Sequence, residues 1–269
     1  MDSRAPGART VRPGPVRPGQ ALDFAALEDE GAVLVPRLLA SRHIAAFRAA
    51  VDGAIRTIAG NQQDPDAALI SIFRSEPGLR QAIYTGFQNL AVLHELSVAI
   101  HRWLQACRFY EWAGIVAPAC WPGLRVDIPS ETKFTLPLHQ DFASTRSHRA
   151  WRAWIPLSDA SERTGSLRYY PGSHKLGPLP HIVDGTGGRV DANWVKDFDE
   201  HIVTGAAGDG LFFHPLVAHA SVPNRGDAVK WTLLLQIQDV AAPVNPDDPN
   251  DALADFIRIH QARAATRSG

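Results

Sequence analysis

The sequence predicts a mainly β core of α+β class, closed as a barrel or double-sheet jelly roll, with helices packed outside it. Two observations carry that expectation. Up to about Cys120 the apolar residues recur at helical spacing. Beyond it they fall into short alternating runs separated by Gly, Pro, Asp and Ser clusters, the pattern of many short strands.

Taken in order, residues 1–20 are rich in Arg, Pro and Gly and read as a disordered tail. Residues 21–269 read as one domain. Asp23 to Glu30 is a short helix, and Ala32 to Val35 a short strand. Ser41 is placed to cap a helix running to about Ile58, with Ile44, Phe47, Val51 and Ile55 on one face. A further helical stretch spans about Pro77 to Leu104, its internal breaks undetermined. The expected strands are 124–128, 135–139, 151–157, 167–170, 201–204, 210–214 and 231–240. Turns at Thr164-Gly165-Ser166, Pro171-Gly172-Ser173 and Ala207 to Gly210 separate several of them. A last helix is expected over 252–264. The polar insertion from His181 to Glu200 is long enough to act as a lid.

Bulk properties narrow the function. The chain has 269 residues, is 45% hydrophobic and carries a formal charge of −1. It therefore has enough material for a sizeable core and no general attraction to nucleic acid or membrane. No apolar run is long enough to span a bilayer, and residues 1–19 lack the apolar centre of a secretory signal. Cys107 and Cys120 read as buried structural thiols, and a cytoplasmic setting is expected.

The chemistry concentrates at His139-Gln140-Asp141. In an extended segment, residues two apart face the same way, so His139 and Asp141 converge and Gln140 turns aside. With His219 they make two imidazoles and one carboxylate. This set holds non-haem iron on one side and leaves the other side open. Catalytic zinc accepts the same donors, so ligand identity alone does not decide the metal. His214, five residues before His219, is the rival for the distal position.

Ordered blocks around the triad add context. Arg125 to Pro129 precedes Pro137-Leu-His-Gln-Asp141, followed by Trp154-Ile-Pro-Leu157 and Thr164-Gly-Ser-Leu167. Then come Pro171-Gly-Ser-His174, Gly208-Asp209, Phe213-His214 and His219-Ala-Ser-Val-Pro-Asn224. In this arrangement the region 124–235 resembles the phytanoyl-CoA dioxygenase family of Fe(II)- and 2-oxoglutarate-dependent oxygenases. The resemblance implies a double-stranded β-helix, with iron held by His139, Asp141 and His219. It implies co-substrate contacts at Trp154 and Ser221, and a basic residue eleven after His219 for the far carboxylate of 2-oxoglutarate. The family usually has Arg there, and this chain has Lys230.

Only four of the 27 basic side chains are lysines, so Lys230 is not what background composition would supply. It heads a strand whose outer face is Trp231, Leu233, Leu235 and Ile237. Lys230, Thr232, Leu234 and Gln236 share the other face, which in a jelly roll looks into the barrel mouth. A lysine there needs an anion. Lys133, Arg125 and Arg225 are the other cations within range. His148, Arg149 and Arg152 form a basic stretch read as solvated or substrate-facing, Trp151 as core, and His174 as a turn residue.

The function expected from the resemblance consumes O2 and 2-oxoglutarate, releases succinate and carbon dioxide, and oxidises a C–H bond of a small-molecule substrate. A carboxylate at Asp141 favours hydroxylation over halogenation, which needs an open metal position. A non-catalytic jelly-roll binding protein and a zinc hydrolase on the same scaffold are the alternatives.

Overall fold

A computed structural model describes residues 9–11, 22–60, 64–114, 117–118, 122–142, 149–184 and 187–238. The chain starts with β1 (Arg9–Val11), α1 (Phe24–Asp29), β2 (Ala32–Val35), α2 (Ser41–Ala59) and α3 (Pro65–Ser75). It continues through α4 (Pro77–Gln88), α5 (Ala91–Ala106), α6 (Phe109–Ala113), β3 (Ala117–Pro118) and β4 (Gly123–Asp127). β5 (Ala150–Pro156), β6 (Ser166–Tyr169), β7 (His181–Asp184) and β8 (Gly187–Val190) follow. The last described strands are β9 (His201–Val203), β10 (Gly210–Phe213), β11 (His219–Val222) and β12 (Lys230–Gln238).

Two sheets face each other. The larger runs β2-β10-β5-β12, and β12 then pairs with both β3 and β4; the smaller runs β1-β9-β6-β11. All pairs are antiparallel except β1 with β9. Trp154, Leu211 and Phe213 of the larger sheet and Leu167, Tyr169 and Val203 of the smaller one form a single buried cluster. This two-layer arrangement is the expected jelly roll.

The larger sheet has a second apolar face. Trp151, Ala153 and Ile155 of β5 alternate with Trp154 and Arg152. The outward set packs against α2, α3, α4 and α5. β12 obeys the same period, with Trp231, Leu233, Leu235 and Ile237 all 2% exposed or less on the helix side. Trp231 sits edge-on to Phe47 of α2 at 5.7 Å and Phe87 of α4 at 5.5 Å.

Several expectations need correction. Arg9–Val11 is not tail but an edge strand, since its backbone pairs with His201–Val203 despite the Pro- and Gly-rich sequence around it. Ala40, not Ser41, occupies the cap of α2, and Ser41 is already helical. The stretch 77–104 breaks at Asn89 and Leu90, giving α4 and α5. α3 has no counterpart among the expected elements, although Asp64 caps it by accepting from Asp66 N and Ala67 N, with Pro65 pre-set for the first turn. Residues 135–139 are not a strand; His139 alone forms an isolated bridge. β11 was not expected as a strand at all. Cys107 is half-buried and free. Cys120 and the helix expected over 252–264 lie outside the described residues.

One tight turn orders the barrel's edge. Gly208 takes φ +94°, and a Cβ there would meet Leu39 O at 2.6 Å. Its neighbour Asp209 accepts from Arg37 N at 2.8 Å and Ala206 N at 2.9 Å, tying this turn to the β2–α2 connection. Trp231→Ala should cost about 3–5 kcal/mol, because it opens a cavity between the sheet and two helices. Chemical denaturation of the variant measures that loss.

Candidate metal centre

Three backbone hydrogen bonds assemble the centre. His139 N donates to His219 O and His219 N to His139 O, both at 2.9 Å, a reciprocal pair that sets the two side chains next to each other. Their ring centroids are 4.2 Å apart. Asp141 is fixed by its own N–H, which donates to Pro215 O at 2.9 Å.

One donor atom from each of His139, Asp141 and His219 lies within 4.8 Å of the other two. Nε2 of His139 is 3.6 Å from Asp141 Oδ1, and Nε2 of His219 is 3.7 Å from Oδ2. Each imidazole turns Nδ1 to a carbonyl two residues back, Pro137 O at 2.7 Å and Val217 O at 2.9 Å. An N–H donated there fixes the tautomer and leaves the Nε2 lone pair directed at the carboxylate.

The electrostatics suit a cation. Burial pushes the His219 imidazole down to about 4, helped by His139, so it is neutral at pH 7, as a metal ligand has to be. Burial alone would raise the Asp141 carboxyl. His219, the hydrogen bond with His139 and the Arg152 guanidinium reverse this and hold it well below the usual carboxylate range. Arg152 Nε stands 3.0 Å from Asp141 Oδ2. Arg152, expected in a basic stretch that is solvated or substrate-facing, instead belongs to β5 and faces the carboxylate. Two imidazoles and one carboxylate converging from one side fit a divalent metal with an open face.

Gln140 turns away from the cluster, as its position between the two converging residues requires, and it is 4% exposed. Its Nε2 donates to Gly177 O at 3.0 Å and Leu216 O at 2.7 Å, and its Oε1 accepts from Leu179 N at 2.8 Å. Its backbone N–H donates to His181 Nε2 at 3.2 Å. The 181–200 insertion therefore holds the triad segment: β7 supplies His181, and Val190 N of β8 donates to Leu138 O at 2.7 Å.

A chamber of about 90 Å³ opens beside the triad, lined among others by Trp154, Ser221, Lys230, Thr232 and Leu234. Lys230 is 2% exposed, donates from Nζ to Ser158 O at 2.5 Å and lies 5.6 Å from the Trp154 ring centroid. Burial pushes its ammonium down to about 7, against the pull of Asp127 and Asp159. Arg125 also reaches the chamber, but its Nε lies 2.9 Å from both oxygens of Asp127. Ser221 Oγ accepts from Leu136 N at 3.2 Å, leaving the hydroxyl hydrogen available. Lys133 and Arg225 are exposed and do not line the chamber.

The rival residues have other partners. His214 Nδ1 accepts from Leu216 N at 3.1 Å, its ring stands edge-on to Trp151, and burial pushes it down to about 4. His174 lies beside His214 with ring centroids 5.9 Å apart, more enclosed than a plain turn residue. Asn224, which sequence reading quoted without a role, is 2% exposed. It donates to Asp127 O and Ala228 O and accepts from Gly226 N, each at 2.9 Å, locking β4 to the approach of β12.

Known proteins show likenesses to this chain. A model of the phytanoyl-CoA dioxygenase family matches residues 27–231. The 1-deoxypentalenic acid 11-beta-hydroxylase of Streptomyces exfoliatus is 36% identical over 104 residues, 35% of this chain and 37% of that protein, so the match spans little more than a third of the relative's length. A non-heme alpha ketoglutarate dependent carbocyclase from nogalamycin biosynthesis superimposes with a TM-score of 0.55, at 22% identity over 90% of this chain and 93% of its own. An epimerase in complex with Fe3+, alpha ketoglutarate and nogalamycin RO gives 0.52, at 22% identity over 80% and 81%. At such identities these two structures bear on the fold.

Replacing Gln140 by Leu should leave two carbonyls and an amide without their partner and cost about 2–5 kcal/mol. A urea unfolding curve that matched the parent would show that the clamp carries no stability.

Proposed function

The chain belongs to the phytanoyl-CoA dioxygenase family, and from that premise we propose that it is an Fe(II)- and 2-oxoglutarate-dependent oxygenase acting on a C–H bond of a small molecule. The observation that carries this reading is the triad: two Nε2 lone pairs and a carboxylate converge beside a chamber that contains one buried cation. In it His139, Asp141 and His219 hold ferrous iron. Iron so held, with 2-oxoglutarate bound, supplies O2 activation coupled to release of succinate and carbon dioxide.

The residues have separate tasks. Lys230 binds the far carboxylate of the keto acid as a point charge, where an arginine would form a fork. Ser221 donates its hydroxyl to the same group, and Trp154 forms the wall below it. The apolar side chains of Leu167 and Phe213 keep the chamber dry. With Asp141 as its third protein ligand, the metal would favour hydroxylation or a related oxidation over halogenation. Hydroxylation is also the activity that the Streptomyces relative's name states. Among the described residues no helix is long and apolar enough to cross a membrane.

Anaerobic addition of Fe(II) and 2-oxoglutarate should produce a visible charge-transfer band that zinc cannot give. Replacing both His139 and His219 by Ala should abolish it, and intact folded parent protein without a band would refute the reading. A second expectation concerns pH. Lys230 is charged below about 7 and neutral above, and only the charged form attracts a carboxylate. Above pH 7 binding has to take up a proton, so 2-oxoglutarate affinity should fall up to tenfold per pH unit. Lys230→Arg should flatten that dependence and Lys230→Ala should weaken binding throughout; calorimetric titration at pH 6, 7 and 8 reads both.

A further inference from the structure

The chamber beside the triad measures about 90 Å³. The oxygenase reading assigns that chamber to the keto acid, and the molecule to be oxidised then presents its C–H bond from a neighbouring space. This step rests on the oxygenase reading above. A second cavity of about 260 Å³ adjoins the chamber and shares Arg125 and Asp127 with it. Its other walls are Arg80, Gln81 and Tyr84 of α4, Val126 of β4, and Phe134. We propose that this cavity is the prime-substrate subsite and that it takes a rigid, mostly apolar molecule bearing one anionic group.

Large apolar side chains are left exposed beside these walls. Tyr84 and Phe134 leave 37% and 47% of their surface in water, and Leu136 and Leu234, which line the chamber, leave 43% and 38%. Tyr84 and Phe134 in the cavity and Leu136 and Leu234 in the adjoining chamber give water apolar surface that a ligand would cover. The wall is already built. Arg80 lies 4.5 Å from the Phe134 ring centroid and 4.8 Å from that of Phe73, and Glu131 holds its guanidinium by two contacts at 2.5 and 2.6 Å. A pre-formed wall favours a rigid ligand over a flexible chain, because neither side then loses much freedom.

The charge comes from counting pairs. Arg80 is matched by Glu131 and Arg125 by Asp127. Lys133, 5.5 Å from the Phe134 ring centroid, has no carboxylate in ion-pair reach among the described residues. The cavity's own charges are thus balanced, and the Lys133 ammonium over Phe134 is the unmatched charge next to it. The Tyr84 hydroxyl makes no hydrogen bond among the described residues and lies within the fields of Arg125 and Asp127. It offers a donor to the same anion or to a ring oxygen.

Adamantane-1-carboxylate is a suitable probe: compact, rigid, apolar and anionic. 1-Adamantanemethanol lacks the charge, and acetate lacks the apolar body. Each is titrated calorimetrically into the full chain loaded anaerobically with Fe(II) and 2-oxoglutarate. The acid should bind, the alcohol about tenfold more weakly, and acetate not measurably. Phe134→Ala and Tyr84→Ala, both at exposed sites, should each weaken the acid at least tenfold while the charge-transfer band forms at unchanged 2-oxoglutarate concentration. Lys133→Ala should bring acid and alcohol to equal affinity. Failure of the acid to bind, unchanged affinity in both aromatic variants, or displacement of 2-oxoglutarate by the acid would overturn the subsite. Equal binding of acid and alcohol by the parent would overturn its charge selectivity. Loss of the band in the parent would instead count against the oxygenase reading, because probe binding is read independently of it.

Discussion

The reciprocal hydrogen bonds between His139 and His219 are the contact on which the functional half of the molecule depends. They join a segment with no other ladder pairing to a strand 80 positions away. Because the two residues directly face each other across the bridge, their side chains cannot be on opposite sides. A slip of one residue in this register would send one imidazole out of the site. Everything around the bridge resists that slip: Asp141 N anchors to Pro215 O, Gln140 spans three backbone groups, and Val190 N holds Leu138 O.

The buried charges nearby follow from that constraint. A carboxylate placed beside two imidazoles in a largely buried pocket would be costly unless its charge were answered. Arg152 answers it from β5, the strand that also supplies Trp154 to the chamber wall. Lys230 is the opposite case. Asp127 lies opposite it in the strand register, but Arg125 makes the close contacts with that carboxylate. Lys230 then has a carbonyl and an aromatic ring for company, and its charge is only partly compensated.

How far the sequence alone shows this depends on the range of the interaction involved. β10 is legible as an apolar run between turn residues, and β5 and β12 are legible because alternation is local. The convergence of His139 and Asp141 is legible for the same reason. β11 is not, because His-Ala-Ser-Val has no apolar alternation; only its partner β6 makes it a strand. β1 is likewise a product of pairing. Arg152 could not be placed because nothing local distinguishes an arginine facing a carboxylate from one facing water. The tie from His181 to Gln140 crosses 41 positions, and no spacing rule announces it. Asn224 and Asp209, in contrast, lie in turn sequences where a side chain that accepts from nearby backbone N–H groups is a reasonable expectation.

β12 has a consequence beyond its place in the sheet. Its odd-numbered residues are bolted to α2 and α4 through Trp231, while Lys230, Thr232 and Leu234 face the chamber. The two sets never share a position, so the period of two separates two demands that many active sites impose on the same residues. Substitutions at 232 or 234 can reshape what the chamber accepts without touching the helix interface. Damage at Trp231, in turn, reaches Lys230 through a single peptide bond. The strand therefore gives this scaffold freedom to change its ligand along one face, at fixed stability, for as long as the other face stays apolar.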